Sequence, residues 1–251
     1  MRLAVLSDIH GNLAALEAVL ADIEAQGAPD VYWVLGDLAA FCPWPAETVD
    51  RLWALEPVAF LQGNTDRYVT TGRRPQQPSV RGAEDWARMP ETLRERDANF
   101  RWTVAQLSYD QYTFLRDLPT RLEMDVPGYG PLLAVHADLK DDETFLVPSV
   151  SDDEMRAYFA DVSARLVLYG HTHRPVDRVV DGIRFVNDGS VGLPLDGDPR
   201  AAYALIDFEE DGCRVDLRRV AYDVDRVLAA LERVDHPASA WVAHKLRTAR
   251  S

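Results

Sequence analysis

An α/β fold is what this sequence predicts, on three observations. Short apolar runs recur and each ends in a polar residue; a strongly periodic helix separates the first two; and after residue 175 the pattern turns to paired strands. With 251 residues, 47% of them hydrophobic, the chain can bury a sizeable core, and one domain over 1–251 is the expectation.

The runs are "LAVL" before Ser7-Asp8-Ile9-His10, "VYWVL" before Gly36-Asp37, "VAFL" before Gln62-Gly63-Asn64, "LLAV" before His136, and "RLVLY" before Gly170-His171-Thr172-His173. Four or five Val- and Leu-rich residues bounded by glycine read as strands buried on both faces. Between the first two, Leu13, Leu16, Leu20 and Ile23 fall on one helical face and Gly27 stands where a C-terminal cap belongs, so the chain opens β-α-β. Residues 67–118 begin Arg-, Pro- and Gln-rich and turn helical around Trp102 to Leu118, which reads as a helical insertion. Ser151 and Glu154 have the spacing of a capping box, and Met155, Tyr158, Phe159 and Val162 share the face of the helix that follows. Beyond it, Val176 to Val186 and the two segments around Gly212 read as hairpin-linked antiparallel strands, and helical spacing resumes over about 223–250.

Composition excludes several classes. The 27 basic against 41 acidic residues give a net charge of −14, which disfavours non-specific nucleic-acid binding and anionic membranes. No run of 18 apolar residues occurs and the first apolar stretch is too short for a signal-peptide core, so a soluble, cytoplasmic protein is expected. Cys42 and Cys213 lack metal or redox spacing and read as buried thiols. Residues 67–101 depart from the acidic average, with eight arginines against five acidic residues: a solvated helical face, or a basic lid over an anionic substrate.

Ligands of open α/β sheets bind outside the carboxyl ends of strands. Five predicted strands deliver Asp8 and His10, Asp37, Asn64, His136, and His171 and His173 to that rim, which takes four of the six histidines; His236 and His244 read as packing or surface residues. Nitrogen and oxygen donors without thiolate suit Mn, Fe, Zn, Ni or Co, and seven protein ligands exceed one ion but fit two that share a carboxylate. Two such ions can clamp a phosphoryl group and lower the pKa of a bridging water.

Asp8-x-His10, Gly36-Asp37, Gly63-Asn64-x-Asp66, His136 and Gly170-His171-x-His173 resemble the five motifs of the calcineurin-like metallophosphoesterases, and residues 187–207 are similar to the segment after the last motif in the small bacterial YfcE-like branch. The resemblance covers residue 1 to about 220. It implies a four-layer α-β-β-α sandwich, and two divalent ions, Mn favoured, with Asp8, His10 and His173 on the first, Asn64, His136 and His171 on the second, and Asp37 bridging. It further implies that Asp37, Asn64 and His136 are catalytic and that a bridging hydroxide attacks phosphorus in line. Thr65 stands where many members carry a histidine that protonates the leaving group. Arg67, Arg73 or Arg74 could grip the substrate phosphate from the insertion. The expected activity is therefore that of a phosphodiesterase on a small phosphate ester; the alternatives are a phosphomonoesterase acting on nucleotides or sugar phosphates, and a non-catalytic binding scaffold. Apolar segments in the hairpin half leave room for a homo-oligomer, with no heptad or exposed stripe requiring one. Asn187, Asp188 and Ser190 read as turn residues.

Overall fold

The computed structural model describes residues 1–74, 81–210 and 212–250; the Pro- and Gln-rich stretch 75–80 lies outside them. In chain order the elements are β1 (Arg2–Leu6), α1 (Leu13–Gln26), β2 (Val31–Val34), α2 (Pro45–Trp53), β3 (Val58–Phe60), α3 (Asn64–Thr71), α4 (Ala83–Arg88), α5 (Glu91–Gln106) and α6 (Tyr109–Asp117). They continue with β4 (Arg121–Val126), β5 (Gly130–Val135), α7 (Asp152–Tyr158), β6 (Leu166–Tyr169), β7 (Val176–Val180), β8 (Ile183–Asn187), β9 (Ala201–Glu209), β10 (Gly212–Val220), α8 (Val224–Arg233) and α9 (Ser239–Thr248).

The strands form two mixed five-stranded sheets, ordered β10-β9-β1-β2-β3 and β4-β5-β6-β8-β7. Strands β1, β2 and β3 pair in parallel, as do β5, β6 and β8; β9 and β10 extend the first sheet antiparallel, and β4 and β7 edge the second. Alternation of side chains explains why the central strands are apolar throughout. Leu3 and Val5 of β1 point into the core between the sheets with Leu132 and Ala134 of β5 and Leu166 and Leu168 of β6. Ala4 and Leu6 point the other way, onto Leu16, Val19 and Ile23 of α1. On the far side, Val135, Val167 and Tyr169 meet Met155 and Phe159 around α7. The layers are helix, sheet, sheet, helix, the predicted four-layer sandwich.

Both predicted caps form. Gly27, at φ 98°, ends α1, and Ser151 accepts from the Glu154 amide while the Glu154 carboxylate accepts in return. Helix α2 buries Pro45, Thr48, Val49 and Leu52 along one face, edge strand β4 alternates between exposed and half-buried residues, and the helix of the insertion starts earlier than Trp102, at Glu91. A fourth apolar cluster joins the insertion to the C-terminal helices: Phe41, Tyr68 and Phe100 pack with Val227, Leu231, Val242 and Leu246. Cys42 is buried, whereas Cys213 is only half-buried at an edge strand, with its Sγ 3.5 Å from the Tyr129 hydroxyl. His236 is buried against Trp102, with ring centres 4.6 Å apart, and His244 is exposed.

Candidate metal centre

All seven expected ligands follow the carboxyl ends of β1, β2, β3, β5 and β6, so both sheets contribute to one rim. The turns that carry them are tight. Asp8, His10, Asp37, His171 and His173 have φ of 52°, 54°, 57°, 65° and 56°, the left-handed region that non-glycine residues rarely enter and that clusters at functional sites. The loops also press together closely enough to require glycine: a Cβ on Gly63 would lie 2.2 Å from Asp37 Oδ1.

Two groups of donor atoms form. In one, His10 Nε2 lies 3.2 Å from His173 Nε2 and 3.6 Å from Asp37 Oδ2, and His173 Nε2 lies 3.1 Å from Asp8 Oδ1. The potential ligand atoms of Asp8, His10, Asp37 and His173 all fall within 4.8 Å of one another, and all four residues are buried. In the other, Asn64 Oδ1 lies 3.0 Å from His136 Nε2 and 3.1 Å from His171 Nδ1, and His136 Nε2 is 3.6 Å from Asp37 Oδ1. The Asp37 carboxylate thus turns one oxygen to each group.

Backbone carbonyls decide what these nitrogens can do. His10 Nδ1–H donates to the Ala40 carbonyl (3.1 Å), His136 Nδ1–H to Leu35 (2.8 Å) and His173 Nδ1–H to Leu193 (2.5 Å), while His171 uses Nε2–H toward Glu143 (3.1 Å). A carbonyl only accepts, so the remaining nitrogen of each neutral ring is a lone pair, and it faces another acceptor. Lone pairs this close repel unless a cation stands among them. Asp8 Oδ1, buried without a hydrogen-bond partner, adds a carboxylate oxygen to the same demand. The donor set and its orientation fit divalent metal.

The electrostatics point the same way. Burial, then the neighbouring His173, holds His10 well below the usual imidazole range. Burial opposes charge on His173 too, but the Asp8 carboxylate outweighs it and raises the pKa. Burial, then His136, pushes His171 down to about 4. Burial raises Asp37. Two of the four imidazoles, His10 and His171, are therefore held toward the neutral state in which imidazole binds metal, whereas His136, beside Asp37, and His173, beside Asp8, are raised against the opposing effect of burial.

Sequence reasoning missed the framework behind the ligands. Asp66, present in the third motif, accepts from the amides of Asp37 (2.8 Å), Leu38 (3.0 Å) and Gly63 (3.0 Å) and so ties the second and third loops together. Burial, then Asp37, lifts its pKa to about 7. Thr65 is buried, and its amide donates to Asp37 Oδ1 at 2.8 Å. Asn187 and Ser190 do more than shape a turn: Asn187 Nδ2 donates to the Gly170 carbonyl (2.7 Å) and the Ser190 hydroxyl to the Asp8 carbonyl (2.7 Å). Asp188 is buried, and burial, then Asp8, pushes its pKa well above the carboxylate range against the opposing pull of Ser7. Nothing local in the sequence marks these roles beyond the polar type of the residues.

The three arginines expected on substrate are placed differently. Arg67 forks onto Asp142 (2.6 and 2.7 Å) and reaches Glu143 (2.6 Å), and Arg74 pairs with Asp97 (2.9 Å) and donates to the Tyr68 carbonyl (2.9 Å). Carboxylates of the chain itself thus occupy both guanidinium groups; among the described residues, Arg73 is exposed and its guanidinium has no partner. A cleft of about 580 Å³ opens beside the centre, with Gln62, Arg67, Arg121, His136 and Lys140 in its wall. Among the described residues no helix is long and apolar enough to cross a membrane.

Comparison with known proteins agrees with this geometry. Residues 1–211 match the profile of the calcineurin-like phosphoesterase superfamily domain. The chain is 27% identical to the uncharacterized protein MJ0912 of Methanocaldococcus jannaschii, over 97% of this chain and 96% of that one. Among solved structures, a metallophosphoesterase from Sphaerobacter thermophilus is similar over 99% of both chains, with 27% identity and a TM-score of 0.77. The hypothetical protein PH1004 of Pyrococcus horikoshii OT3 aligns over 100% of this chain and 99% of its own, at 22% identity and a TM-score of 0.82.

Proposed function

Because the chain belongs to the calcineurin-like phosphoesterase superfamily, we propose that it is a dinuclear-metal-dependent phosphoesterase that prefers diesters. One observation carries the reading: two clusters of lone pairs face inward, and the single carboxylate of Asp37 faces both. Asp8, His10 and His173 would hold one ion, Asn64, His136 and His171 the other, and Asp37 would touch both. Bound there, two divalent ions supply Lewis acidity and charge neutralisation for attack of water on phosphorus.

The chain's own groups set the geometry for that chemistry. Carbonyls of Leu35, Ala40, Glu143 and Leu193 fix the four imidazole tautomers, the Thr65 amide orients the Asp37 carboxylate, and Asp66 clamps the loop that carries it. Thr65 places an amide and a buried hydroxyl, not an imidazole, beside the centre, so leaving-group protonation has no dedicated donor at that position. The preference for diesters draws support from charge. The loop beside His171 carries Asp141, Asp142 and Glu143 in a protein of net charge −14, and a singly charged diester is repelled less than a doubly charged monoester.

The test is turnover of bis(p-nitrophenyl) phosphate against p-nitrophenyl phosphate, by protein reconstituted with Mn, Fe, Zn, Ni or Co and assayed beside its metal content. Two ions per chain, diester turnover and loss of both on chelation are expected. A stoichiometry of one or zero with chelator-resistant activity overturns the dinuclear reading, and turnover of the monoester alone overturns the diester preference. No turnover by fully loaded protein would favour the scaffold.

A further inference from the structure

Among the seven expected ligands Asn64 is the only amide. An amide ends in an oxygen and an NH2 group of nearly the same shape, and only the oxygen can hold a cation. Asn64 Oδ1 lies 3.0 Å from His136 Nε2 and 3.1 Å from His171 Nδ1. Both nitrogens are lone pairs, because the other nitrogen of each ring donates to a backbone carbonyl. Left to themselves, two lone pairs would draw the NH2 group inward. Something outside the centre must therefore hold the amide with its oxygen toward the histidines.

Tyr68 is placed to do so. It follows Asn64 by one turn of α3, on the same face of the helix, and is only 2% exposed. Its hydroxyl is hydrogen-bonded to the side chains of Asn64 and Glu143. A carboxylate only accepts, so the hydroxyl donates to Glu143, turns its lone pairs toward Asn64, and receives the Nδ2–H of the amide. The atom left to face the histidines is the oxygen.

Glu143 is itself fixed. Its carboxylate accepts from Arg67 at 2.6 Å, and its carbonyl stands 3.1 Å from His171 Nε2. The Tyr68 ring is held as well, with the Arg67 guanidinium carbon 4.9 Å from its centre and Phe100 packed edge-on at 5.5 Å. One residue of the 138–145 loop thus steers two ligands of the same half of the centre, His171 directly and Asn64 through Tyr68. We propose that Tyr68 is a positioning residue, which holds the Asn64 amide with its oxygen toward the ion shared with His136 and His171. The presence of that ion rests on the metallophosphoesterase reading; the orientation of the amide does not.

The experiment is a double-mutant cycle on Mn binding. Mn is titrated calorimetrically into the full chain after chelation, and the ion of Asn64, His136 and His171 is identified by its loss in His171→Ala. Tyr68→Phe keeps the ring and removes the hydroxyl. It should weaken that ion about 10–100-fold and leave the other within about twofold. In the Asn64→Asp background, where the two terminal atoms are alike, the same change should weaken it by no more than about twofold. Glu143→Met removes the acceptor of the hydroxyl at an exposed position, and it too should weaken the ion more with Asn64 present than in Asn64→Asp, so the cycle stands even where Tyr68→Phe fails to fold. Equal losses in both backgrounds, as packing alone would give, or no loss in either, overturn the proposal. A further reading needs no metal. In nitrogen-15 spectra of the chelated protein, the Asn64 side-chain NH2, assigned by its absence from Asn64→Asp, should exchange with water about tenfold faster in Tyr68→Phe, the worth of one hydrogen bond. Unchanged exchange overturns the positioning role. Failure of the dinuclear reading would show instead as fewer than two Mn ions per parent chain, with that difference in exchange intact.

Discussion

The two halves of the centre rest on different ground. Asp8, His10 and His173 are 0%, 1% and 7% exposed, and the carbonyls that orient the two imidazoles belong to Ala40 and Leu193, which are buried as well. The other half begins in the same way, with buried His136 held by the Leu35 carbonyl. Its outer member, His171, is partly exposed and takes its orientation from the carbonyl of Glu143, an exposed residue of the 138–145 loop. That loop is stiffened by Asp138 and Asp141, whose carboxylates accept from the amides of residues 140, 141, 143 and 144, and it is pinned to α3 by Arg67. The first half is therefore set as soon as the sheets pack, whereas the second depends on a surface clamp. Local stability follows that distinction, since loops with few apolar contacts open at lower free energy than core strands.

The strongest way to break the comparison is to remove the residue both halves share. Asp37→Asn should cut kcat by more than about 10³, beyond the 10–100-fold typical of residues behind the ligands, and lower the affinity for both ions while circular dichroism stays native. A variant of near-normal rate would show that Asp37 does not face both sites. Next in size, His10→Ala and His171→Ala should each lose one ion per chain by elemental analysis, and the ion retained by His171→Ala should resist chelator longer than the ion retained by His10→Ala. Equal resistance would erase the distinction between a core-built and a loop-built half.

A smaller effect separates the clamp from the ligands. Arg67→Met should weaken only the more loosely bound ion, by about 10–100-fold, with Arg67→Lys recovering part of the loss. Metal titration reads this without reference to turnover, and an equal effect on both ions would mean that Arg67 supports the fold at large. The smallest effect concerns the far brace of the first half, where Asn99 Oδ1 accepts from the Phe41 amide and lies 3.2 Å from His236 Nε2. Burial holds His236 down to about 4. A histidine with a depressed folded pKa binds fewer protons folded than unfolded, so stability should fall as pH drops from about 6.5 toward 4, by at most about 1.4 kcal/mol per pH unit. Urea denaturation of the parent and His236→Gln over that window checks it: the variant should show a shallower slope, and identical slopes would remove His236 from the account.

The placing of the seven potential ligands at strand ends was legible in the sequence because each follows an apolar run, and a chain-local pattern is enough to place a residue at a strand end. The same logic could not settle the surroundings of Arg67, Arg73 and Arg74. An arginine-rich stretch shows that cations are present but not which carboxylates will meet them, and the partner of Arg67 lies 75 residues away. Asp188 shows the opposite error: Asn-Asp-Gly-Ser is ordinary turn chemistry, yet the fold buries that carboxyl beside Asp8. Strand β4 was invisible for a simpler reason, since an edge strand with one solvent face carries few apolar residues.

What the sequence determined by itself is whatever repeats over a few residues: the strands buried on both faces, the face and cap of α1, the capping box at Ser151, and the order in which seven potential ligands arrive at strand ends. Periodicity and capping are interactions between near neighbours, so they are written locally. Only the tertiary structure decided which nitrogen of each histidine is free. That choice belongs to carbonyls 30, 101, 28 and 20 residues distant from His10, His136, His171 and His173. It became fixed when two sheets packed face to face and brought their loops within hydrogen-bonding reach, a relation between distant segments that no window of sequence contains.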